Sequence, residues 1–280
     1  MKSFTSRVAA LSYRLGRPES PAVLERFEPD AERDIFLVTY PRSGTTWISC
    51  LAAELLFQIS PTNLTEINSM VPDVHDLPEK STVPAASQYL IKSHCPLNAV
   101  HGFPPFGKYR KVIYVIRDPR DVMLSYHRYA RYLSNYSGGL KEFAMDWVAG
   151  RIWPCSWQEH INSWLAPFEL TVFRYEDFVA DPIGQTGILA KVLGVDAEQA
   201  RIEEIVAAAS PDSMREREKN GKNGIDPKFN FVGPAKVKNW KQLQSGDDRD
   251  AISISILGEF ARDAMQRGGY ESSAEAMGQL

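Results

Sequence analysis

The segment Tyr40-Pro-Arg-Ser-Gly-Thr-Thr-Trp47 combines small residues, hydroxyl groups and one fixed positive charge. An apolar run of strand length precedes it, and a helical pattern from Thr45 to Phe57 follows. Small residues at a strand-to-helix turn let backbone N–H groups surround an anion, and a helix N-terminus adds favourable potential. A Walker A loop would require a Lys followed by Ser or Thr after the last Gly, and Thr45 stands there instead. We predict an anion-binding loop without nucleoside triphosphate machinery; a plain turn would explain Gly44 but not Arg42.

A second group of charged and hydroxyl residues runs from Arg117 to Ser125. Arg117 follows the clearest strand pattern, Lys111 to Ile116, and open α/β sheets bind ligands at the carboxyl ends of their strands. Asp118 is a good helix N-cap, and Ser125 lies seven positions later on the same helix face. A guanidinium and a hydroxyl converging there suit a phosphate monoester. A structural ion pair between Arg117 and Asp121 is the alternative.

Together, the two motifs resemble those of the sulfotransferases that use 3′-phosphoadenosine 5′-phosphosulfate (PAPS), particularly the cytosolic small-molecule type. That family has T-Y-P-K-S-G-T-T-W in the loop for the 5′-phosphosulfate and R-x-x-x-D-V-x-x-S-Y in the loop for the 3′-phosphate. The corresponding segments here are Thr39 to Trp47 and Arg117 to Tyr126. Lys92-Ser-His94 is similar to the family's K-T-H, and Phe173 to Asp177 is similar to its strand ending in Y-E-D. The resemblance covers roughly residues 34 to 242.

The resemblance implies a role for each matching position. Arg42 would contact the sulfuryl group and the bridging oxygen, Lys92 would neutralise charge in the transition state, and His94 would be the base. The implied nucleotide contacts are Ser43, Gly44, Thr45 and Thr46 at the 5′-phosphate, Trp47 and Tyr175 at the adenine, Arg117 and Ser125 at the 3′-phosphate, and Ser210 as a further contact.

Two positions depart from the family pattern. Arg42 stands where the family usually has Lys, which keeps the charge but replaces a point charge with a planar fork. The family's carboxyl-terminal R-K-G-x-x-G-x-W corresponds here to residues 233–240, GPAKVKNW, which lack the Arg-Lys pair. Lys236 and Lys238 are the nearest candidates to close over the 3′-phosphate, and a solvated basic loop is the alternative.

The chemistry of sulfuryl transfer agrees with this assignment. A hydroxyl is a poor nucleophile at neutral pH, and a histidine with an ordinary pKa of about 6.5 can take its proton as the bond to sulfur forms. Positive groups on the leaving phosphate lower the barrier, and the reaction requires no metal. Of the five histidines, only His94 is two residues from a lysine at the end of a predicted strand.

Strands alternate with helices along the chain, which brings both loops to one edge of a sheet. Strands are predicted at residues 34–40, 88–92, 111–116 and 170–175. Helices are predicted at 45–57, from 118 onward, and around 139–150, 156–166, 182–194, 197–209 and 249–266. This order implies an α/β fold: a single domain over 1–280 with a parallel doubly wound sheet and a P-loop-like phosphate-binding loop. We expect residues 1–30 to form a lead-in segment, and 59–87 and 219–238 to be mobile loops.

Composition indicates an ordinary intracellular protein. The 280 residues, 44% of them hydrophobic and with a net charge of −3, suffice for one large or two small domains without disulfides. Three cysteines in no metal-binding pattern argue against a structural metal. Basic segments at 108–131 and 214–241 favour a compact anionic ligand over a nucleic acid, with solvated charged faces as the alternative. We expect a cytoplasmic location without a membrane span, because there is neither a run of about 20 apolar residues nor a secretory signal.

The sequence therefore predicts a PAPS-dependent sulfotransferase that moves a sulfuryl group to a hydroxyl of a small-molecule acceptor, with an amine as the lesser option. The products are a sulfate ester and adenosine 3′,5′-bisphosphate (PAP). A non-catalytic nucleotide-binding module is one alternative, and a kinase-like phosphotransferase is another, disfavoured by the missing Walker lysine. The acceptor and the oligomeric state are not specified. Aromatic residues between 126 and 164 could line the acceptor pocket or belong to the core.

Overall fold

Four parallel strands form the centre of the computed structural model, which describes residues 28–30, 32–97, 111–133, 136–165, 170–220, 232–233, 235–243 and 261–270. The strands are β1 (Ile35–Thr39), β2 (Leu90–Ser93), β3 (Lys111–Ile116) and β4 (Thr171–Arg174). Their order across the sheet is β2-β1-β3-β4, and all three pairings are parallel. The chain thus passes from β1 to one side of the sheet and then crosses to the other. This arrangement confirms the predicted parallel α/β fold.

Helices cover both faces of this sheet. They are α1 (Thr45–Phe57), α2 (Leu64–Met70), α3 (Pro119–Leu133), α4 (Leu140–Val148), α5 (Trp157–Leu165), α6 (Tyr175–Ala180), α7 (Pro182–Leu193), α8 (Gln199–Ala208), α9 (Pro211–Asn220), α10 (Trp240–Leu243) and α11 (Arg262–Arg267). Apolar residues of α1, α7 and α8 pack on one face of the sheet, and those of α3, α4 and α5 pack on the other. The two cores hold the carboxyl ends of the strands in fixed positions.

The sequence of strand β1 is continuously apolar because both of its faces are buried. Ile35 and Leu37 belong to the core under α1, whereas Phe36 and Val38 belong to the opposite core. All four side chains are buried, because successive residues of a strand point to opposite faces and both faces are covered. Burial of each such side chain contributes on the order of 1.5–3 kcal/mol to folding.

Most predicted elements are present. Helix 45–57 and strand 111–116 agree with the structure at both ends, and the other three strands and the helices around 139–150, 156–166, 182–194 and 197–209 differ by at most two residues at either end. The expected cap of α3 is also confirmed, because Oδ1 of Asp118 accepts a hydrogen bond from the backbone N–H of Arg120 at 2.9 Å.

The prediction of a loop throughout residues 59–87 is wrong for residues 64–70, which form α2. Asn63 caps this helix by accepting a hydrogen bond from the backbone N–H of Glu66 at 3.0 Å. Leu64, Ile67 and Met70 are buried at helical spacing. Seven residues are too short a stretch for this period to stand out among the surrounding Pro, Ser and Asn. The mobility of the remaining segment stays a prediction.

Three further helices, α6, α9 and α10, are absent from the sequence prediction. Helix α9 is strongly charged, and only Met214 and Arg217 are buried, so it shows no apolar period. Its fixing contact is an ion pair in which Nη2 of Arg217 lies 3.1 Å from Oε1 of Glu54 on α1. Residues 1–27 of the predicted lead-in, 221–231 and 234 of the predicted loop at 219–238, and 249–260 of the last predicted helix lie outside the described residues.

Candidate active site

A cavity of about 210 Å³, open to solvent, lies beyond the carboxyl ends of β1 and β3. This is the place where the strand order reverses, and open α/β sheets bind ligands in such a crevice. Ten of the sequence-predicted site residues line it: Arg42, Gly44, Thr45, Thr46, Trp47, His94, Arg117, Ser125, Tyr175 and Lys236. The fold therefore brings the two predicted anion loops together.

The first loop turns sharply between β1 and α1. Arg42 and Gly44 both adopt left-handed conformations, with φ of 72° and 95°. A Cβ on Gly44 would lie 2.5 Å from Cδ2 of Tyr175, so only glycine fits against that ring. Thr45 and Thr46 begin α1 at the cavity wall, and the backbone N–H groups of these first two helical positions have no acceptors within the helix. These groups form a site suited to an anion.

The guanidinium of Arg42 connects the first loop to the second. Its Nε donates a hydrogen bond to Oγ of Ser125 at 3.1 Å, and its Cζ lies 5.3 Å from the centre of the Tyr129 ring. Removal from water lowers the pKa of Arg42 to about 10, and at neutral pH the group keeps its positive charge. A fixed cation therefore lies between the two loops.

Arg117 joins four parts of the chain at the cavity. Its Nη1 donates to the carbonyl oxygen of Arg42 at 3.0 Å, and its Nη2 donates to that of Lys236 at 3.3 Å. Its Cζ lies 4.3 Å from the centre of the Tyr175 ring. The ion pair with Asp121, at 4.0 Å, is the structural alternative raised above. Within the described residues, Nε of Arg117 is buried without a hydrogen-bond partner.

Two aspartates hold residues 238–240 against the start of α3. The Asp121 carboxylate accepts hydrogen bonds from the backbone N–H groups of Lys238 and Trp240, at 2.7 and 3.2 Å. The Trp240 indole donates to Asp118 at 3.2 Å, and Cζ of Arg120 lies 3.7 Å from the centre of its ring. This docking places Lys236 at the cavity next to Arg117.

The hydrogen bonds of His94 define the state of its ring. Nδ1 lies 2.8 Å from the carbonyl oxygen of Thr39, which can only accept, so we assign the proton to Nδ1 and the lone pair to Nε2. His160 Nε2 is 3.1 Å from the carbonyl oxygen of His94 and can donate a hydrogen bond to it. Burial lowers the pKa of His94 below its usual value, which favours the neutral form at pH 7. A neutral ring with a free lone pair is the form that a general base requires.

Four predicted site residues do not line the cavity. Nζ of Lys92 donates to Oδ1 of Asn68 on α2 at 2.6 Å. Ser43 is fully buried, and its Oγ has no hydrogen-bond partner among the described residues. Oγ of Ser210 lies 2.9 Å from Oγ of Ser213 at the start of α9, while Lys238 reaches α3 through its backbone. Their roles in binding or catalysis stay predictions.

The structure also identifies lining residues that no motif had assigned. Arg128 belongs to the basic segment 108–131, so its charge was visible in the sequence although its position was not. Tyr126, Tyr129 and Trp153 line the cavity, whereas Trp147, among others, belongs to the core. The aromatic residues between 126 and 164 are therefore divided between the two roles.

Positive charge dominates the described lining of the cavity. It contains Arg42, Arg117, Arg128 and Lys236 and no Asp or Glu. The Tyr175 ring lies beside the Arg117 guanidinium, and the Trp47 ring meets the Tyr175 ring edge to face. Fold and cavity together define an α/β protein with a site for a multiply charged anion that carries a ring system.

The family profile of the sulfotransferase domain matches residues 32–252. The chain belongs to the sulfotransferase family, which confirms the class of enzyme predicted from the two loops. Sulfotransferase 2A6 of Rattus norvegicus is 28% identical over 223 residues, covering 75% of this chain and 78% of that protein. Human sulfotransferase 4A1 is 30% identical over 195 residues, covering 62% of this chain and 64% of that protein.

Two solved structures share the fold. Mouse sulfotransferase SULT7A1 complexed with PAP aligns with a TM-score of 0.61 at 21% identity, over 84% of this chain and 85% of that chain. Retinol dehydratase in complex with androsterone and the inactive cofactor PAP aligns with a TM-score of 0.62 at 18% identity, over 84% of this chain and 82% of that chain.

The described part of the chain contains no helix long and apolar enough to cross a membrane. Within the same residues there is no group of three or more His, Cys, Asp or Glu side chains placed to hold a metal ion.

Proposed function

We propose that the protein transfers the sulfuryl group of PAPS to a hydroxyl of a small-molecule acceptor, giving a sulfate ester and PAP. The observation that carries this proposal is the position of His94. Its neutral imidazole lines the same cavity as four cations, and no described lining residue is acidic. A proton acceptor therefore lies beside a site for a strongly anionic donor.

The lining groups fit the donor by charge and by shape. PAPS carries a phosphosulfate and a 3′-phosphate. The start of α1 and Arg42 suit the phosphosulfate, whereas Arg117 and Ser125 suit the 3′-phosphate. Trp47 and Tyr175 offer aromatic surfaces for the adenine. Two solved relatives of the fold are complexed with PAP, which supports the same nucleotide here.

The proposed chemistry is a single displacement at sulfur. As the acceptor oxygen bonds to sulfur, the bond from sulfur to the bridging oxygen breaks, and negative charge develops on the departing phosphate. Arg42 stabilises that charge because its guanidinium stays protonated in the cavity. The acceptor proton passes to Nε2 of His94, whose Nδ1–H is held by the Thr39 carbonyl. These roles of His94 and Arg42 belong to the proposal.

The acceptor is a small molecule with apolar surface. Tyr126, Tyr129 and Trp153 line the cavity, and the rings of Trp153 and His94 meet edge to face with centres 6.2 Å apart. The bound androsterone and retinol of structures that share the fold support an acceptor of this class. An amine acceptor, the single-domain organisation over residues 1–280 and a cytoplasmic location stay predictions.

Titration calorimetry with PAP, AMP and ATP separates this function from the two alternatives. We expect PAP to bind more tightly than either AMP or ATP, because only PAP has a 3′-phosphate to meet Arg117. Tighter binding of ATP would favour a phosphotransferase. Incubation with PAPS and a library of alcohols, phenols and amines then tests turnover by mass spectrometry, as a gain of one sulfuryl group. Tight PAP binding with no product from any acceptor would favour the non-catalytic module.

A further inference from the structure

Arg128 is the one cation of the described cavity lining to which neither the sequence motifs nor the proposed function assigns a role. It lies on α3 and is exposed at the cavity. Among the described residues, no hydrogen bond or ion pair occupies its guanidinium. By contrast, Arg42 and Arg117 are each tied to the surrounding loops by hydrogen bonds. The Arg128 guanidinium is therefore available to a ligand.

The position of Arg128 on α3 relates it to the second anion loop. It comes seven residues after Asp121, and at about 100° per residue seven residues return to within about 20° of the same face. The Asp121 side chain marks the face that meets residues 238–240. Arg128 is also three residues after Ser125, a distance of about one helical turn. Tyr129, which packs against Arg42, lies on the other side of Ser125.

The 3′-phosphate needs hydrogen-bond donors as well as positive charge, and the guanidinium donors nearest Ser125 are already partly used, since Nε of Arg42 donates to Oγ of Ser125. A phosphate monoester carries about −1.5 to −2 at neutral pH. Arg117 offers one positive charge, and its two terminal nitrogens already donate to backbone carbonyls. Residues 233–240 contribute Lys236 to the lining, but Lys238 does not line the cavity. Arg128, one helical turn from Ser125, adds a guanidinium at the cavity whose donors no described residue occupies.

We propose that Arg128 is a second guanidinium of the 3′-phosphate site and acts together with Arg117, Ser125 and Lys236. This inference rests on the proposed use of PAPS. It assigns Arg128 to the donor rather than to the acceptor. The Arg128 side chain therefore favours a nucleotide with a 3′-phosphate over one without it.

Calorimetry of Arg128→Gln with PAP and AMP tests the assignment. Arg131 is the matched control, since it is an exposed arginine one turn further along α3 and does not line the cavity. We expect Arg128→Gln to weaken PAP binding about 5- to 30-fold and AMP binding less than about 2-fold. Arg131→Gln should leave both affinities within about 2-fold. The PAP-specific loss should shrink near about 0.5 M salt, because an exposed charge is screened.

Three results would overturn the assignment of Arg128. An unchanged PAP affinity would show that Arg128 does not contact the nucleotide. Equal losses for PAP and AMP would show that Arg128 only adds to the positive potential of the whole cavity and does not bind the 3′-phosphate. A change confined to the KM of an anionic acceptor assigns it to the acceptor side. A wild-type protein that does not prefer PAP over AMP would instead refute the proposed function itself, and this is measured before any variant is made.

Discussion

Thr39 and His94 face each other because β1 and β2 pair in parallel register. Val38 lies opposite Ser93, so the residues that follow them, Thr39 and His94, are neighbours, and Nδ1 of His94 comes within 2.8 Å of the Thr39 carbonyl oxygen. Oγ1 of Thr39 also lies 3.0 Å from Nδ1, but the carbonyl oxygen can only accept, so the end of β1 fixes the tautomer of the proposed base. Nε2 is left with the lone pair that proton transfer requires.

His94→Ala should lower kcat by roughly 10²- to 10⁴-fold, with little change in PAP affinity. General-base assistance acts only in the transition state, so nucleotide binding does not depend on it. Steady-state kinetics with an unactivated alcohol and calorimetry with PAP measure the two quantities. His75→Ala is the control, because His75 is exposed and does not line the cavity. If His94→Ala keeps more than half of the wild-type kcat, His94 is not the base.

The imidazole of His94 should titrate below pH 6.5 in the free protein. Burial disfavours the charged ring and lowers the pKa, so the neutral, active form persists as pH falls from 8 to about 6.5 and is lost only at lower pH. Bound PAP should raise this pKa, because its negative charge stabilises the imidazolium. NMR titration of the ring protons, assigned by comparison with His94→Ala, checks both directions. A free-protein pKa above 6.5 would contradict the burial argument.

Arg117→Ala should weaken PAP binding by about 1.5–3 kcal/mol, the range for a hydrogen bond to a charged group. AMP should be affected much less, because it lacks the 3′-phosphate. The comparison of the two ligands is needed because Arg117 also donates to the carbonyl oxygens of Arg42 and Lys236. Equal losses for PAP and AMP in calorimetry would show that the side chain supports the loops and does not bind the 3′-phosphate.

Lys236→Ala should raise the Kd for PAP several-fold at low ionic strength and less near about 0.5 M salt. A flexible ammonium group acts mainly through screened Coulomb attraction. Lys238→Ala serves as the paired control and should have a smaller effect, since Lys238 reaches α3 through its backbone and does not line the cavity. The same salt series should be run for both variants. A larger effect from Lys238→Ala would reverse the assignment of the two lysines.

Glu54→Ala should reduce the free energy of unfolding by about 3–5 kcal/mol, because it leaves the Arg217 guanidinium without its carboxylate in the core between α1 and α9. Replacing both residues by leucine should be much less damaging, since no charge then stays buried. Urea unfolding measures both changes. The exposed Arg201–Glu204 pair provides the comparison, and Glu204→Ala should change stability by less than about 0.5–1 kcal/mol. Similar losses at the two pairs would refute the role assigned to burial.

The parts of the fold that could be predicted are those encoded by neighbouring residues. Strand Lys111–Ile116 is one apolar run, and helix Thr45–Phe57 follows a loop whose small residues require a turn. The short helix α2 and the charged helix α9 lack such a local signal. They are fixed by contacts that only the folded chain provides, such as Arg217 with Glu54 across 163 positions.

The candidate site also contains features that the sequence predicts and features that depend on contacts between distant residues. The two loops could be predicted because each is a contiguous motif, and the parallel sheet explains why they meet. The surroundings of Lys92 could not be predicted, because its hydrogen-bond partner Asn68 lies on an unpredicted helix 24 positions away. The docking of Lys238 on Asp121, across 117 positions, was equally hidden. Arg128 was visible as a charge, but its approach to the cavity depends on the orientation of α3.

The contact between Gly44 and Tyr175 couples the residue types that two distant positions can accept. Any residue with a Cβ at position 44 would collide with the ring at position 175. Among related chains, a larger residue at the first position should therefore occur only with a smaller one at the second. The Tyr175 ring also meets Trp47 edge to face, with centres 5.9 Å apart, so a chain that makes this exchange must find another neighbour for that tryptophan. A directed-evolution library that randomises position 44 alone should return glycine, and one that randomises both positions should still favour glycine at position 44, because φ of 95° strains any residue with a Cβ even when the ring at position 175 is smaller.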